Sequence, residues 1–177
     1  MSGQQTPSPT SAAEHRAAAP ASIACAVMTI SDTRTIETDK SGALIVELLQ
    51  GAGHRVVDRA IVPDEPERIR SLVAGYRLRG DVQAVLLTGG TGISPRDQTF
   101  ETITAMLTKP LPGYGELFRN LSYQEIGAAA LLSRAVGGLV DGMIVLTMPG
   151  STAAVRLAME KLILPELGHI VREATKR

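Results

Sequence analysis

Thr88-Gly89-Gly90-Thr91-Gly92 is the stretch whose residue types point most directly to chemistry. Glycine tolerates positive φ and lets the backbone come close to a ligand. Successive N–H groups in such a loop can converge on one oxyanion. Thr88 and Thr91 add hydroxyl donors, which makes a phosphate the natural ligand; a tight turn without a ligand is the competing reading. Better-known glycine motifs do not fit. A dinucleotide fingerprint starting at Gly90 requires glycine where Pro95 stands, and neither the Gly-Lys-Ser/Thr of a P-loop nor a Gly-x-Ser-x-Gly elbow occurs.

Carboxylates form a second group. Asp97 follows the glycine loop, Asp64 follows the second strand-like run and Asp32 follows the first. Two carboxylates in one cleft hold Mg²⁺ when substrate phosphates fill its remaining positions. Such an ion neutralises charge as a phosphoryl group transfers. Taken singly, each has a plainer reading: Asp97 as the N-cap of a helix at Thr99, Asp64 as the cap of a helix at Pro66. A third group is Pro112-Gly113-Tyr114-Gly115-Glu116 with Arg119, its glycines again allowing close backbone approach. Glu116 and Arg119 can share a helix face, and Arg119 either grips phosphate bidentately or pairs with Glu116. Pro149-Gly150-Ser151 sets a helix N-terminus after a strand, which is an anion site or an ordinary turn.

These residues need elements to hold them. Ile23 to Ile30 and Val82 to Thr88 read as buried strands, and His54 to Val62 alternates toward a third. Lys40 to Gly51 has helical spacing at Ala43, Leu44, Leu48 and Leu49, and glycines stop it. A helix from Pro66 presents Ile69, Leu72, Val73 and Tyr76 on one face. Thr99 to Leu107 and Glu116 to Glu125 are helical, with a break at Pro110 to Gly115 between them, and Ala128 to Arg134 is helical in part. Ala135 to Leu139 and Met143 to Met148 form a hairpin through Asp141-Gly142. Ser151 caps a last long helix with Val155, Met159, Leu162 and Ile163 on its apolar face. Alternating strands and helices predict a single three-layer α/β/α domain with a mostly parallel, mixed sheet. Ligands of open α/β sheets bind beyond the carboxyl ends of the strands. The loops after Ile30, Val62, Thr88 and Met148 occupy those ends.

Composition narrows the rest. The 177 residues suit one domain, and scarce aromatics leave its core to Ala, Val, Leu and Ile. Met1 to Ala21 is rich in Pro, Ser, Thr, Gln and Ala and reads as a disordered tail, which puts the domain at 22–177. A formal charge of zero offers nothing to nucleic acid or an anionic membrane. No apolar run spans a bilayer, and no secretory signal stands at the start. Cys25, the only cysteine, sits in an apolar run and fits a reducing cytoplasm better than a nucleophile. The histidines show no zinc spacing.

In combination, and in this order, Thr88-Gly-Gly-Thr-Gly92, Pro95-Arg-Asp97, Pro112-Gly-Tyr-Gly-Glu116, Arg119 and Met148-Pro-Gly-Ser151 resemble the MoaB/MogA family of molybdenum cofactor biosynthesis proteins. Ser133-Arg134-Ala135 and Gly53-His-Arg-Val-Val-Asp58 resemble its MoaB branch, and the likeness runs from about Ser22 onward. It implies a molybdopterin-binding fold and homotrimers, or hexamers built from trimers. It also implies Mg²⁺-dependent adenylylation of molybdopterin by ATP, with release of pyrophosphate. The family's essential carboxylates map onto Asp64 and Asp97, and its phosphate cradle onto Gly89, Gly90, Thr91 and Gly92. Ser31 and Asp32 match the polar pair after the first strand, and Glu116, Arg119, Ser133, Pro149, Gly150 and Ser151 match the lining of the cleft. The alternative is a non-catalytic molybdopterin-binding paralogue. MoaB proteins of that kind lack the first carboxylate, whereas this chain has Pro63-Asp64-Glu65.

Overall fold

The computed structural model describes residues 19–176. The expected disordered tail falls outside them except at 19–21, where Ala19 and Pro20 lie against Gly168. A six-stranded sheet runs in the order β2-β1-β3-β6-β5-β4. Its strands are β1 (Ala24–Ile30), β2 (Arg55–Val62), β3 (Ala84–Thr88), β4 (Lys109–Pro110), β5 (Gly137–Val140) and β6 (Met143–Met148). β2, β1, β3 and β6 are mutually parallel, while β5 is antiparallel to both its neighbours. The fold is therefore the expected three-layer, mixed-sheet one.

Alternation along the central strands divides the core. Cys25, Val27, Leu86, Ile144 and Leu146 point to one face, with α1 (Lys40–Gly51), α4 (Pro112–Ile126), α5 (Thr152–Ala158) and α6 (Leu164–Thr175) packed over them. Ala26, Met28, Val85, Leu87 and Val145 point to the other, under α2 (Pro66–Arg79) and α3 (Thr99–Met106). Burial pushes the Cys25 thiol up to about 12, so it stays protonated as a core residue.

Several local expectations change. α1 buries Ile45 and Leu49 while Ala43 faces solvent. Pro110 to Gly115 is not a break: Lys109–Pro110 pairs with β5 as an edge strand, and Pro112 opens α4. Proline at a first helical position loses no hydrogen bond. Gly115 does allow close approach, but of the Ala135 carbonyl, 2.5 Å from where a Cβ would stand, and not of a ligand. The last helix contains a π turn, Met159–Ile163, before Pro165. Proline supplies no N–H to the preceding turn, and a widened turn accommodates that loss. The Asp141-Gly142 hairpin has positive φ at both residues, 47° and 89°, as a type I′ turn requires.

Behind the loop after β1 lies a buried charge network. The Asp39 carboxylate accepts hydrogen bonds from the Gly42 N–H (2.9 Å), Thr29 (2.7 Å), Ser41 (3.1 Å) and Arg59 (3.0 Å). Burial alone raises its proton affinity, yet these donors outweigh burial and hold it below the usual carboxylate range. It caps α1 and, through Arg59, which also reaches the Ile36 carbonyl, fastens the loop that carries Asp32. A lowered native pKa gives stability that is present above the unfolded value and is lost as pH falls through the native one. Asp39→Ala is expected to cost about 3 kcal/mol at pH 7. Denaturant titrations should show the gap from the wild type narrowing below about pH 4.

Candidate active site

All four parallel strands end at one edge, where Ile30 pairs with Val62, Thr29 with Thr88 and Thr88 with Met148. The loops expected to carry the chemistry therefore meet. Gly89, at φ 100°, lies so close under the Ile30 carbonyl that a side chain would overlap it. A Cβ on Gly150 would stand 3.3 Å from Gly89 Cα, and the buried Thr88 hydroxyl donates to the Pro149 carbonyl at 3.1 Å. Thr88 thus serves as a brace between two loops, with its hydroxyl proton committed.

Beyond Gly89 the backbone turns outward. The Gly90 carbonyl accepts from Thr99 N–H at 3.0 Å, and the next N–H with a protein acceptor is that of Ser94. Among the described residues the N–H groups of Gly90, Thr91, Gly92 and Ile93 meet no protein acceptor. Such a run of amides is the chemical content of an anion nest. At the start of α5, Ser151 caps Ala154 N–H with its hydroxyl at 3.2 Å, leaving the Gly150 and Ser151 amides at the same edge.

Asp64 is a buried carboxylate, only 5% exposed. One carboxylate oxygen accepts from Gln98 N–H and the other from the Thr99 hydroxyl, each at 3.1 Å. Asp64 does not cap α2, whose N-cap position is Glu65 with no side-chain cap; from another loop it satisfies Gln98 and Thr99 at the start of α3. Asp97 is likewise not the cap of α3. It folds back to accept from Ser94 N–H at 3.0 Å, with Gly92 pressed against it. Burial raises the Asp64 pKa; the Gln98 and Thr99 donors oppose this, the charge of Asp97 adds to it, and Arg96 lowers it. The desolvated Asp64 thus feels the negative charge of Asp97, and carboxylate oxygens of this kind are ligands that a hard divalent cation takes. Among the described residues no cluster of three such ligands occurs, so water and phosphate oxygens would complete any Mg²⁺ shell.

Asp32 takes a different part. It forms a two-pronged pair with Arg96 (2.6 and 2.8 Å), which holds its carboxyl below the usual range, and accepts from Asp64 N–H at 3.3 Å. The Ser31 hydroxyl accepts from the N–H groups of Thr33 (3.2 Å) and Arg34 (3.1 Å), closing the same loop. Ser133, Pro149 and Ser151 line a cleft of about 240 Å³ with Ile126, Leu132 and Leu157. Glu116 and Arg119 are exposed on α4 and do not line it. Among the described residues their side chains make no ion pair, to each other or elsewhere. Sequence reasoning gave no role to Arg96 or Arg134. Each sits inside a motif, Pro95-Arg-Asp97 and Ser133-Arg134-Ala135, which was the available signal.

An anion nest, a carboxylate pair and a semi-apolar cleft at one edge of an α/β/α sheet define a site for a phosphorylated, partly hydrophobic ligand. A family model described as "Probable molybdopterin binding domain" matches residues 26–169. The chain belongs to the MoaB/MogA family of molybdenum cofactor biosynthesis proteins, on the MoaB branch. It is 53% identical to Molybdenum cofactor biosynthesis protein B of Halalkalibacterium halodurans over 164 residues, 92% of this chain and 96% of that protein. A crystal structure of a Molybdenum cofactor biosynthesis protein B matches with TM-score 0.87 at 54% identity, covering 90% of this chain and 99% of that one. Tungsten cofactor synthesizing protein MoaB from Pyrococcus furiosus matches with TM-score 0.77 at 38% identity, covering 88% and 99%. No helix among the described residues is long and apolar enough to cross a membrane.

Gly90→Ala tests the closeness of this packing. A Cβ there would overlap Thr99 Oγ1 and the Asp64 carboxylate, at a φ of 64°. The variant is expected to lose about 1–3 kcal/mol. Thermal unfolding of the purified protein measures the loss.

Proposed function

We propose that this protein acts in molybdenum cofactor biosynthesis by adenylylating molybdopterin with ATP. The observation that carries the reading is Asp64, a buried carboxylate placed beside Asp97 and a nest of unpaired amides. In the reaction an oxygen of the pterin's terminal phosphate attacks the α-phosphorus of ATP. The bond from that phosphorus to the bridging oxygen breaks, and pyrophosphate leaves with the electron pair. Mg²⁺, when held by Asp64 and Asp97 together with substrate phosphates, supplies charge neutralisation.

The chain's own residues do the rest. The Gly90 to Ile93 amides cradle phosphate oxygens, and the buried Thr88 keeps that loop locked to Pro149. The cleft of Ser133, Pro149 and Ser151 takes the pterin, with hydroxyls for its polar edge and Ile126, Leu132 and Leu157 for its faces. Asp32 holds Arg96 where its charge acts on Asp64. The same likeness supports homotrimers or hexamers. A groove of about 540 Å³ between α4 and α6, lined by Leu111, Leu117, Leu162 and Ile170, is an apolar surface of the kind subunit contacts cover.

Purified protein incubated with molybdopterin, ATP and Mg²⁺ should yield adenylyl-molybdopterin and pyrophosphate. Asp64→Asn and Asp97→Asn should each reduce the rate at least about a hundredfold. Pterin binding without product from the wild type would instead establish the non-catalytic paralogue.

The carboxylate pair also titrates in a defined direction. Asp64 has a raised pKa, so it gives up its proton later than an ordinary aspartate as pH rises. A carboxyl-carbon NMR titration should place its midpoint above that of an ordinary aspartate. Asp97→Asn removes the repelling charge and should bring that midpoint down; an unmoved midpoint would show that the two carboxylates do not share a site.

A further inference from the structure

Arg134, on the segment between the 3₁₀ turn (Gly127–Leu132) and β5, lies outside the set of residues expected to touch substrate. Its guanidinium is nevertheless fully engaged. Nε donates to the Thr91 carbonyl at 2.8 Å and Nη2 to the Gly92 carbonyl at 2.6 Å. Nη1 pairs with Glu101, and the plane stands 4.5 Å from the centre of the Phe100 ring. The carboxylate and the ring hold the fork in place, and the fork holds two successive peptide planes.

The orientation of those planes matters. In a trans peptide the carbonyl and the following N–H point in opposite directions, and the described chain has no cis peptide. Pinning the Thr91 and Gly92 carbonyls therefore turns the Gly92 and Ile93 N–H groups away from Arg134. These are two of the amides that meet no protein acceptor. Gly92 has no side chain to restrict its own backbone, so Arg134 supplies the hold on these two planes that Thr99 N–H at Gly90 and Asp97 at Ser94 do not give. From this geometry we infer that Arg134 is a positioning residue, which presets the glycine loop as an oxyanion receptor by binding the loop's carbonyls and never the ligand. The inference deepens the proposed function and rests on its reading of the loop as a phosphate cradle. Rigid donors need no reorganisation when charge arrives.

The test is calorimetric titration of the full-length protein with inorganic pyrophosphate and with ATP, alongside steady-state kinetics. Arg134→Met should weaken both ligands at least about tenfold. It should raise KM for ATP while KM for molybdopterin stays unchanged. Arg134→Lys keeps the charge without the fork and should behave like Arg134→Met. Glu101→Gln removes the charge that helps hold the fork but keeps an acceptor for Nη1 and leaves the carbonyl contacts in place, so it should weaken pyrophosphate binding by less than Arg134→Met does. Unchanged pyrophosphate affinity in Arg134→Met, full rescue by lysine, equal loss of ATP and pterin affinity, or no pyrophosphate binding by the wild type would each overturn the inference. Two outcomes separate it from the transferase reading. Pyrophosphate binding lost in Arg134→Met, with no pterin product from the wild type, supports the receptor and sinks the transferase. Turnover by the wild type with undiminished ATP affinity in Arg134→Met does the reverse.

Discussion

The arrangement at the carboxyl edge of the sheet depends on one desolvated carboxylate. Asp64 belongs to the loop after β2, yet both its oxygens are engaged by the start of α3, which follows β3. β1 lies between those strands, so this contact bridges across it. The helix start is positive at its unpaired amides, and an anion there is favourable. Gly90 must lack a side chain because the bridge passes against it, and the loop must turn outward there because Thr99 N–H takes its carbonyl. The unpaired amides that follow are a result of that turn. Cap and receptor are thus two sides of one loop.

Charge is graded across the same edge. Asp39 is buried and fully provided with donors, and it is ionised. Asp32, at the surface, is ionised against Arg96. Asp64 has burial and a neighbouring negative charge working against its ionisation. Three aspartates near this edge therefore differ in proton affinity because their burial and their neighbours differ. The one left short of positive charge is the one beside the unpaired amides.

Much of the architecture was legible from residue patterns, for identifiable reasons. Lys40–Gly51 ends where glycines end it, and the central strands are apolar on both faces because helices cover both. The Asp141-Gly142 turn was readable because few residue pairs accept two positive φ values. β4 escaped because two residues, one of them proline, carry no periodicity. The positions of Thr88, Gly89, Gly90, Pro149 and Ser151 near one edge follow from strand ends, which sequence reveals well, whereas Ser133 was reached only through the family likeness. The partners of Asp64, Asp39 and Arg134 do not, since each lies on another element and only the folded register brings them within reach. Glu116 and Arg119 show the reverse case: shared helix spacing suggested a pair, and within one chain they make none.

The short edge strand has a consequence beyond this site. An open sheet presents unpaired backbone groups at its margins, and those margins can recruit strands of other molecules. Here one margin is only Lys109–Pro110, where proline has no N–H to offer an incoming strand. The other, β2, carries Arg55, Asp58 and Arg59, so its flank is charged. Both features work against pairing of this mixed sheet with a strand of another molecule.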